Sequence, residues 1–218
     1  MKVVRNAIFD LDGTLIDSLP GIAWSIGEAL TASGLKQHMT EFRLQIGPPI
    51  RSILSLVSGL SDAHSLDELE RAFRRSYDGG GWHGTACYAG VRELLEDLLA
   101  QGVRLWVVTN KPALPTRNIL RHLKLDTFFE GVVCRDSRAP AWGSKSDALI
   151  DLLDRRGLSR ETCLLIGDTP EDRRAAVAAG LDCIIVAHGY GAGEFFSDTD
   201  WSAVRGRFIG SAELAEVG

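Results

Sequence analysis

No hydrophobic run in the 218-residue chain is longer than a strand or a core helix, and the N-terminus lacks the basic-then-apolar order of a secretory leader. Both absences argue against a spanning segment and export, and make the cytoplasm the default compartment. A basic block is missing too. The 24 Lys and Arg residues are scattered among 29 acidic ones, a formal net charge of −5, which argues against a nucleic-acid surface and requires any anionic substrate to be met by local positive charge. Cys87, Cys134, Cys163 and Cys183 are few, far apart and without a CxxC pair or a histidine at zinc-like spacing. They read as packed thiols, not ligands or nucleophiles.

The chain does have core-forming residues, 45% hydrophobic against 24% charged, enough for one ordinary globular domain with an insertion. It opens on Val3 to Phe9, a short apolar run interrupted by Arg5-Asn6, that ends in Asp10-Leu11-Asp12-Gly13-Thr14. The spacing predicts a strand running into a tight polar turn. Asp10 and Asp12 are two positions apart, so on an extended chain both carboxylates leave the same face. Such a pair repels itself unless a cation sits between its members or one holds a proton. A hard-metal site and an acid/base pair both satisfy that condition.

From Asp17 to about Tyr77 the pattern is helical. Helices are expected from Asp17-Ser18-Leu19-Pro20 through Leu30, in two pieces between Thr40 and Leu56 around Gly47-Pro48-Pro49, and from Ser65 to Tyr77. No strand is expected between residues 17 and 78, and Gly79-Gly80-Gly81 reads as a flexible joint back to the parent domain. From Tyr88 onward helices and strands alternate. Strands are expected at 103–109, 132–134, 163–166 and 183–187, with helices at 91–101, 116–123, 145–155 and 170–179. This order predicts a Rossmann-like parallel sheet sandwiched by helices, with an inserted all-helical unit. In such sheets ligands bind beyond the carboxyl ends of the strands. That rule gathers Asp10 and Asp12, Thr109-Asn110-Lys111, Lys145 and Gly167-Asp168 with Asp172 into one site.

These four motifs, in this order, resemble the haloacid dehalogenase-like hydrolase superfamily. The helical segment between the first two resembles its C1-type cap, and Thr109-Asn110-Lys111 with His188-Gly189-Tyr190-Gly191 resembles the phosphoglycolate phosphatase-like branch. The resemblance implies a core over 1–16 and 88–218, a cap over 17–87, and hydrolysis of a small phosphate monoester through an aspartyl-phosphate. Asp10 would be the nucleophile and Asp12 the acid/base. Thr109 and Asn110 would position the phosphoryl group, and Lys145 would neutralise charge. Mg²⁺ would be held by Asp10, Asp168 and the Asp12 carbonyl, with Asp172 in support. Lys145 stands in Ser144-Lys145-Ser146-Asp147, not the Lys-Pro-x-Pro of many relatives, so Lys111 competes for its role. Arg51 is the candidate cap residue for substrate contact, and the expected partner is a small phosphorylated metabolite. A nucleotidase, a phosphomutase and a catalytically silent binding protein on the same scaffold remain alternatives, and the oligomeric state stays open.

Overall fold

A computed structural model describes residues 3–35, 49–191 and 200–208. The chain divides into two compact units, Met1–Ile16 with Cys87–Gly218, and Asp17–Ala86. The first is built on β1 (Asn6–Phe9), β4 (Arg104–Thr109), β5 (Gly131–Cys134), β6 (Cys163–Gly167) and β7 (Asp182–Ile185). These form one sheet in the order β5-β4-β1-β6-β7, every neighbouring pair parallel. The central strands β1 and β6 are buried throughout, as strands covered on both faces must be.

Given the strand order, the right-handed crossovers that parallel strands take assign α4 (Val91–Ala100) and α5 (Ala113–His122) to one face, and α6 (Lys145–Arg156) and α7 (Pro170–Ala179) to the other. Val91, Leu94, Leu95 and Leu98 give α4 its buried stripe. On the opposite face Ile8, Trp106, Val108 and Leu165 pack with Leu149 and Leu152 of α6 and with Ala175 and Ala176 of α7. Small residues on α7 let it lie close to the sheet. The chain leaves β1 toward β4 and leaves β6 toward β7, in opposite directions. The crevice for a ligand therefore opens at the carboxyl ends of β1 and β6.

Asn6 does not interrupt the first strand but begins it. Its side chain is buried, accepting from Trp106 Nε1 and donating to Thr162 Oγ1, both at 3.3 Å, so a polar residue enters the core with its amide satisfied. A last helix, α8 (Trp201–Gly206), was not expected from the sequence. It is capped by Asp200 and fixed to α4 by an Arg205–Asp97 ion pair of 2.8 Å.

The second unit contains α1 (Leu19–Ala32), α2 (Ile50–Ser58) and α3 (Ala63–Asp78). The helical piece expected from Thr40 through Gly47-Pro48 lies outside the described residues. Two-residue strands, β2 (Ile16–Asp17) and β3 (Ala86–Cys87), pair with each other where the chain passes between the units. They are too short to leave a periodicity. The glycines 79–81 are not the expected joint. They close α3 and enter a 3₁₀ turn inside the helical unit, where a Cβ at Gly81 would overlap the Ser25 hydroxyl. Their use is close packing.

Candidate active site

β1 ends one residue before Asp10, whose amide still donates to Ile166 O at 2.8 Å. The strand register thus fixes the first carboxylate at the sheet's carboxyl edge, with its side chain buried. Lys145, the first residue of α6, reaches it. Its Nζ is 2.7 Å from Asp10 Oδ1 and 2.5 Å from Asp172 Oδ1. Ser144 starts that helix by accepting from the Asp147 amide, which sets where the lysine departs. Burial alone would lower the Lys145 pKa, but the two facing carboxylates outweigh it and hold the ammonium well above its ordinary value.

Asp172 occupies the third position of α7 and closes a capping box with Thr169. Its Oδ2 accepts from the Asp168 and Thr169 amides at 3.2 and 3.0 Å and from Thr169 Oγ1 at 2.6 Å. Burial pushes its carboxyl up, but the charge of Lys145 and these donors overcome that and hold it below the usual range. With four donors on its two oxygens, Asp172 has little capacity left for a further ligand.

Asp168 is different. It follows β6 fully buried, with Oδ1 accepting from Thr14 Oγ1 at 3.0 Å and Oδ2 from the Tyr190 amide at 2.8 Å. Burial first, and Asp172 second, raise its carboxyl to about 6. Burial also raises Asp10 well above an ordinary aspartate, opposed by Lys145 and reinforced by Asp172 and Asp168. Oxygens of Asp10, Asp168 and Asp172 lie within 4.8 Å of one another.

Asp12 is brought to the same edge and meets Lys111, whose Nζ lies 2.9 and 3.2 Å from its two oxygens. Lys145 faces Asp10 and Asp172, and Lys111 faces Asp12. Four carboxyl groups, Asp10, Asp12, Asp168 and Asp172, meet two ammonium groups, Lys111 and Lys145, at this edge. Such an excess of acidic groups suits a cation, and an all-oxygen donor set suits a hard one.

Thr109, buried at the end of β4, accepts from the Lys111 amide at 3.1 Å, and Asn110 donates to Glu171 Oε1 at 2.9 Å. Arg51 is on α2 of the helical unit, where its guanidinium donates to Asp67 Oδ1 at 2.5 Å, to Glu70 Oε2 at 3.4 Å and to the Ala63 carbonyl at 3.1 Å.

Sequence reasoning missed the supports. Thr14 and the Tyr190 amide both grip Asp168, and His188 Nε2 lies 3.0 Å from the Thr14 carbonyl, which it can meet only as a donor. The signal was present in the residue after Gly13 and in His188-Gly189-Tyr190-Gly191, but nothing in the spacing ties those segments together. Gly13 has φ +85, and a Cβ there would overlap the Asp168 carboxylate and the Tyr190 ring. Only glycine allows both the turn and the approach. The four cysteines are unpaired, and burial raises the Cys163 and Cys183 thiols to about 11 and 12, as expected of inert thiols.

The sequence profile of haloacid dehalogenase-like hydrolases matches residues 7–186. The chain is 36% identical over 198 residues to the tyrosine-protein kinase PtkA of Mycobacterium tuberculosis, covering 90% of this chain and 67% of that one. The solved structure of that kinase superposes with a TM-score of 0.74 at 33% identity, over 92% of this chain and 91% of that one. A 5′-nucleotidase of Pseudomonas aeruginosa is 33% identical over 85% of this chain and 84% of its own length. A phosphoglycolate phosphatase of Aliivibrio fischeri is 32% identical over 94% and 93%. With a profile match over most of its length and relatives of this identity and coverage, the chain belongs to the haloacid dehalogenase-like hydrolase family.

Proposed function

We propose that the chain is a Mg²⁺-dependent phosphatase that hydrolyses a small phosphate monoester, phosphoglycolate-like or another small metabolite, through an aspartyl-phosphate on Asp10. The observation that carries this reading is the Asp10 carboxylate, buried at the sheet's carboxyl edge against Lys145 and clustered with Asp168 and Asp172. An Asp10 oxygen attacks phosphorus while the ester oxygen departs with the bonding pair. Asp12 gives that oxygen its proton, then takes one from the water that cleaves the aspartyl-phosphate. The Thr109 hydroxyl donates to the phosphoryl oxygens, Asn110 positions it, and Lys145 favours the ionised form of Asp10 against its burial and offsets charge built up on the transferring group. Mg²⁺ would be held by Asp10, Asp168 and the Asp12 carbonyl, and would supply the charge needed to keep those carboxylates ionised beside a phosphate dianion. Asp172, its oxygens occupied by Lys145 and the α7 amides, orients the lysine and the Asp168 turn.

Asp17–Ala86 is inserted between the first two motifs. We read it as a C1-type cap that excludes water and selects the substrate. Arg51 is its candidate for substrate contact, which requires the guanidinium to share or release Asp67 and Glu70. The relatives named as a nucleotidase and a tyrosine-protein kinase keep two variants in view: a nucleoside monophosphate as donor, or a tyrosine hydroxyl in place of water as acceptor. The chemistry at Asp10 is common to all. The test is turnover of p-nitrophenyl phosphate with Mg²⁺ or EDTA, followed by a panel of phosphorylated metabolites that includes nucleotides and a tyrosine peptide with ATP. Metal-dependent release of phosphate that Asp10→Asn abolishes is expected. Full activity in that variant would overturn the mechanism, and an unchanged substrate ranking in Arg51→Ala would remove Arg51 from the cap contacts.

A further inference from the structure

Two lysines are buried in the site, and the mechanism above uses only Lys145. Lys111 is the other. Its side chain is 5% exposed, and its Nζ takes both oxygens of Asp12, which is itself 16% exposed. The backbone that delivers it is fixed at both ends: the Lys111 amide donates to Thr109 Oγ1 at 3.1 Å, and its carbonyl accepts from the Arg135 amide at 3.4 Å. A lysine so placed has lost water and rotamer freedom, costs that a surface ion pair would not repay. It contacts Asp12, while Lys145 contacts Asp10 and Asp172.

Resting on the phosphatase reading, we infer that Lys111 is a positioning residue for Asp12. It holds both Asp12 oxygens in place, and so keeps the carboxyl group in register with the leaving oxygen it must protonate. The step balances without a further reactant. The Asp10–phosphorus bond forms as the ester P–O bond breaks, and the leaving oxygen keeps the bonding pair and receives the Asp12 proton. Asp12 is left anionic opposite an ammonium that keeps all its protons. In the second half Asp12 recovers a proton from water as phosphate leaves Asp10.

The contribution of Lys111 must therefore scale with how much the leaving group needs a proton. A departing alkoxide needs one and p-nitrophenolate does not. The quantity to compare is kcat/KM, which reports the steps through formation of the aspartyl-phosphate and so excludes the later hydrolysis shared by both esters.

The experiment measures kcat/KM for p-nitrophenyl phosphate and for the best alkyl phosphate of the panel in wild type, Lys111→Met, Lys111→Gln and Lys111→Arg, each checked by circular dichroism and melting. Loss of about 10²-fold or more on the alkyl ester is expected in the Met and Gln variants, with a loss of less than about tenfold on the aryl ester. The Arg variant should recover part of the difference. In an Asp12→Asn background, Lys111→Met should have no further selective effect. If Lys111→Met does not fold, Lys111→Gln carries the same comparison. Equal losses on both esters in a folded variant, or an undiminished selective loss in the Asp12→Asn background, would overturn the inference and leave the phosphatase reading intact. A folded wild-type protein that hydrolyses neither ester with Mg²⁺ would overturn both.

Discussion

Lys145 touches Asp10 and Asp172, and these carboxyl groups are shifted in opposite directions. Asp172 is surrounded by donors and ionises easily; Asp10 is not, and depends on the lysine and on any cation that binds. Lys145→Met should remove the counter-ion of both, lowering stability by about 3–5 kcal/mol, the range for breaking a buried pair. Phosphatase turnover should fall by about 10²-fold or more. Urea titration and p-nitrophenyl phosphate kinetics check the two effects separately. Asp168 adds a pH dependence. Its carboxyl is raised to about 6 in the metal-free protein, so on raising the pH the unfolded chain ionises first, near the ordinary aspartate value of about 4. The sign is a loss: metal-free stability from this group declines between about pH 4 and pH 6 and stays lowered above. A cation that relieves the penalty binds more readily as pH rises. The melting increment produced by Mg²⁺ over EDTA should therefore be larger at about pH 7.5 than at about pH 5, and equal increments would count against Asp168 as a ligand.

The elements deliver these residues through their ends, and the ends were the legible part of the sequence. Ser144 before Lys145, and Thr169-Pro170 before Asp172, are start signals whose physics is local. The structure shows both caps formed, with left-handed glycines at 157 and 180 closing the same two helices. Ser144→Ala should cost about 1 kcal/mol of stability by orphaning the Asp147 amide. Because the cap sets the departure of Lys145, it should also reduce turnover modestly; a chemical denaturation curve and kcat measure each. Strands β1, β4 and β6 could be read from short apolar runs that end in polar clusters. What the sequence left unread depends on contacts between distant segments. Asn6 looked like a break until Trp106 and Thr162 satisfied it, the glycines at 79–81 looked like a joint until packing filled their space, and Thr14 met Asp168 across 154 positions. α8 was missed because a six-residue helix carries too little periodicity to stand out. Lys111 was visible in the Thr109-Asn110-Lys111 motif and as a rival to Lys145, but not as the partner of Asp12, since no local rule says which of two lysines will face which aspartate.

At the scale of the whole molecule, the site motifs belong to one unit and the inserted helices to the other, as the contacts divide them. The first unit contains its own sheet, its own covering helices and every carboxylate and lysine of the candidate centre. Among the described residues no helix is long and apolar enough to cross a membrane. The insertion leaves and returns through β2 and β3, which pair with each other, so its ends are separated by about 5 Å, the spacing of neighbouring strands. A few flexible residues can bridge that gap without straining either strand. Replacing residues 18–85 by a short Gly-Ser linker should therefore leave a chain that folds, with the far-ultraviolet signature of an α/β protein and a cooperative melt. It should retain Mg²⁺-dependent hydrolysis of p-nitrophenyl phosphate, because the leaving group asks little of the surroundings. If the helical unit is a cap, the discrimination lost with it should appear as a flattened ranking across the metabolite panel, with kcat/KM for the best substrates falling toward that of the worst. A truncated chain that folds and keeps the full ranking would transfer specificity to the strand-end loops. One that folds but loses p-nitrophenyl phosphate turnover would show that water exclusion or an inserted residue is needed for the chemistry itself.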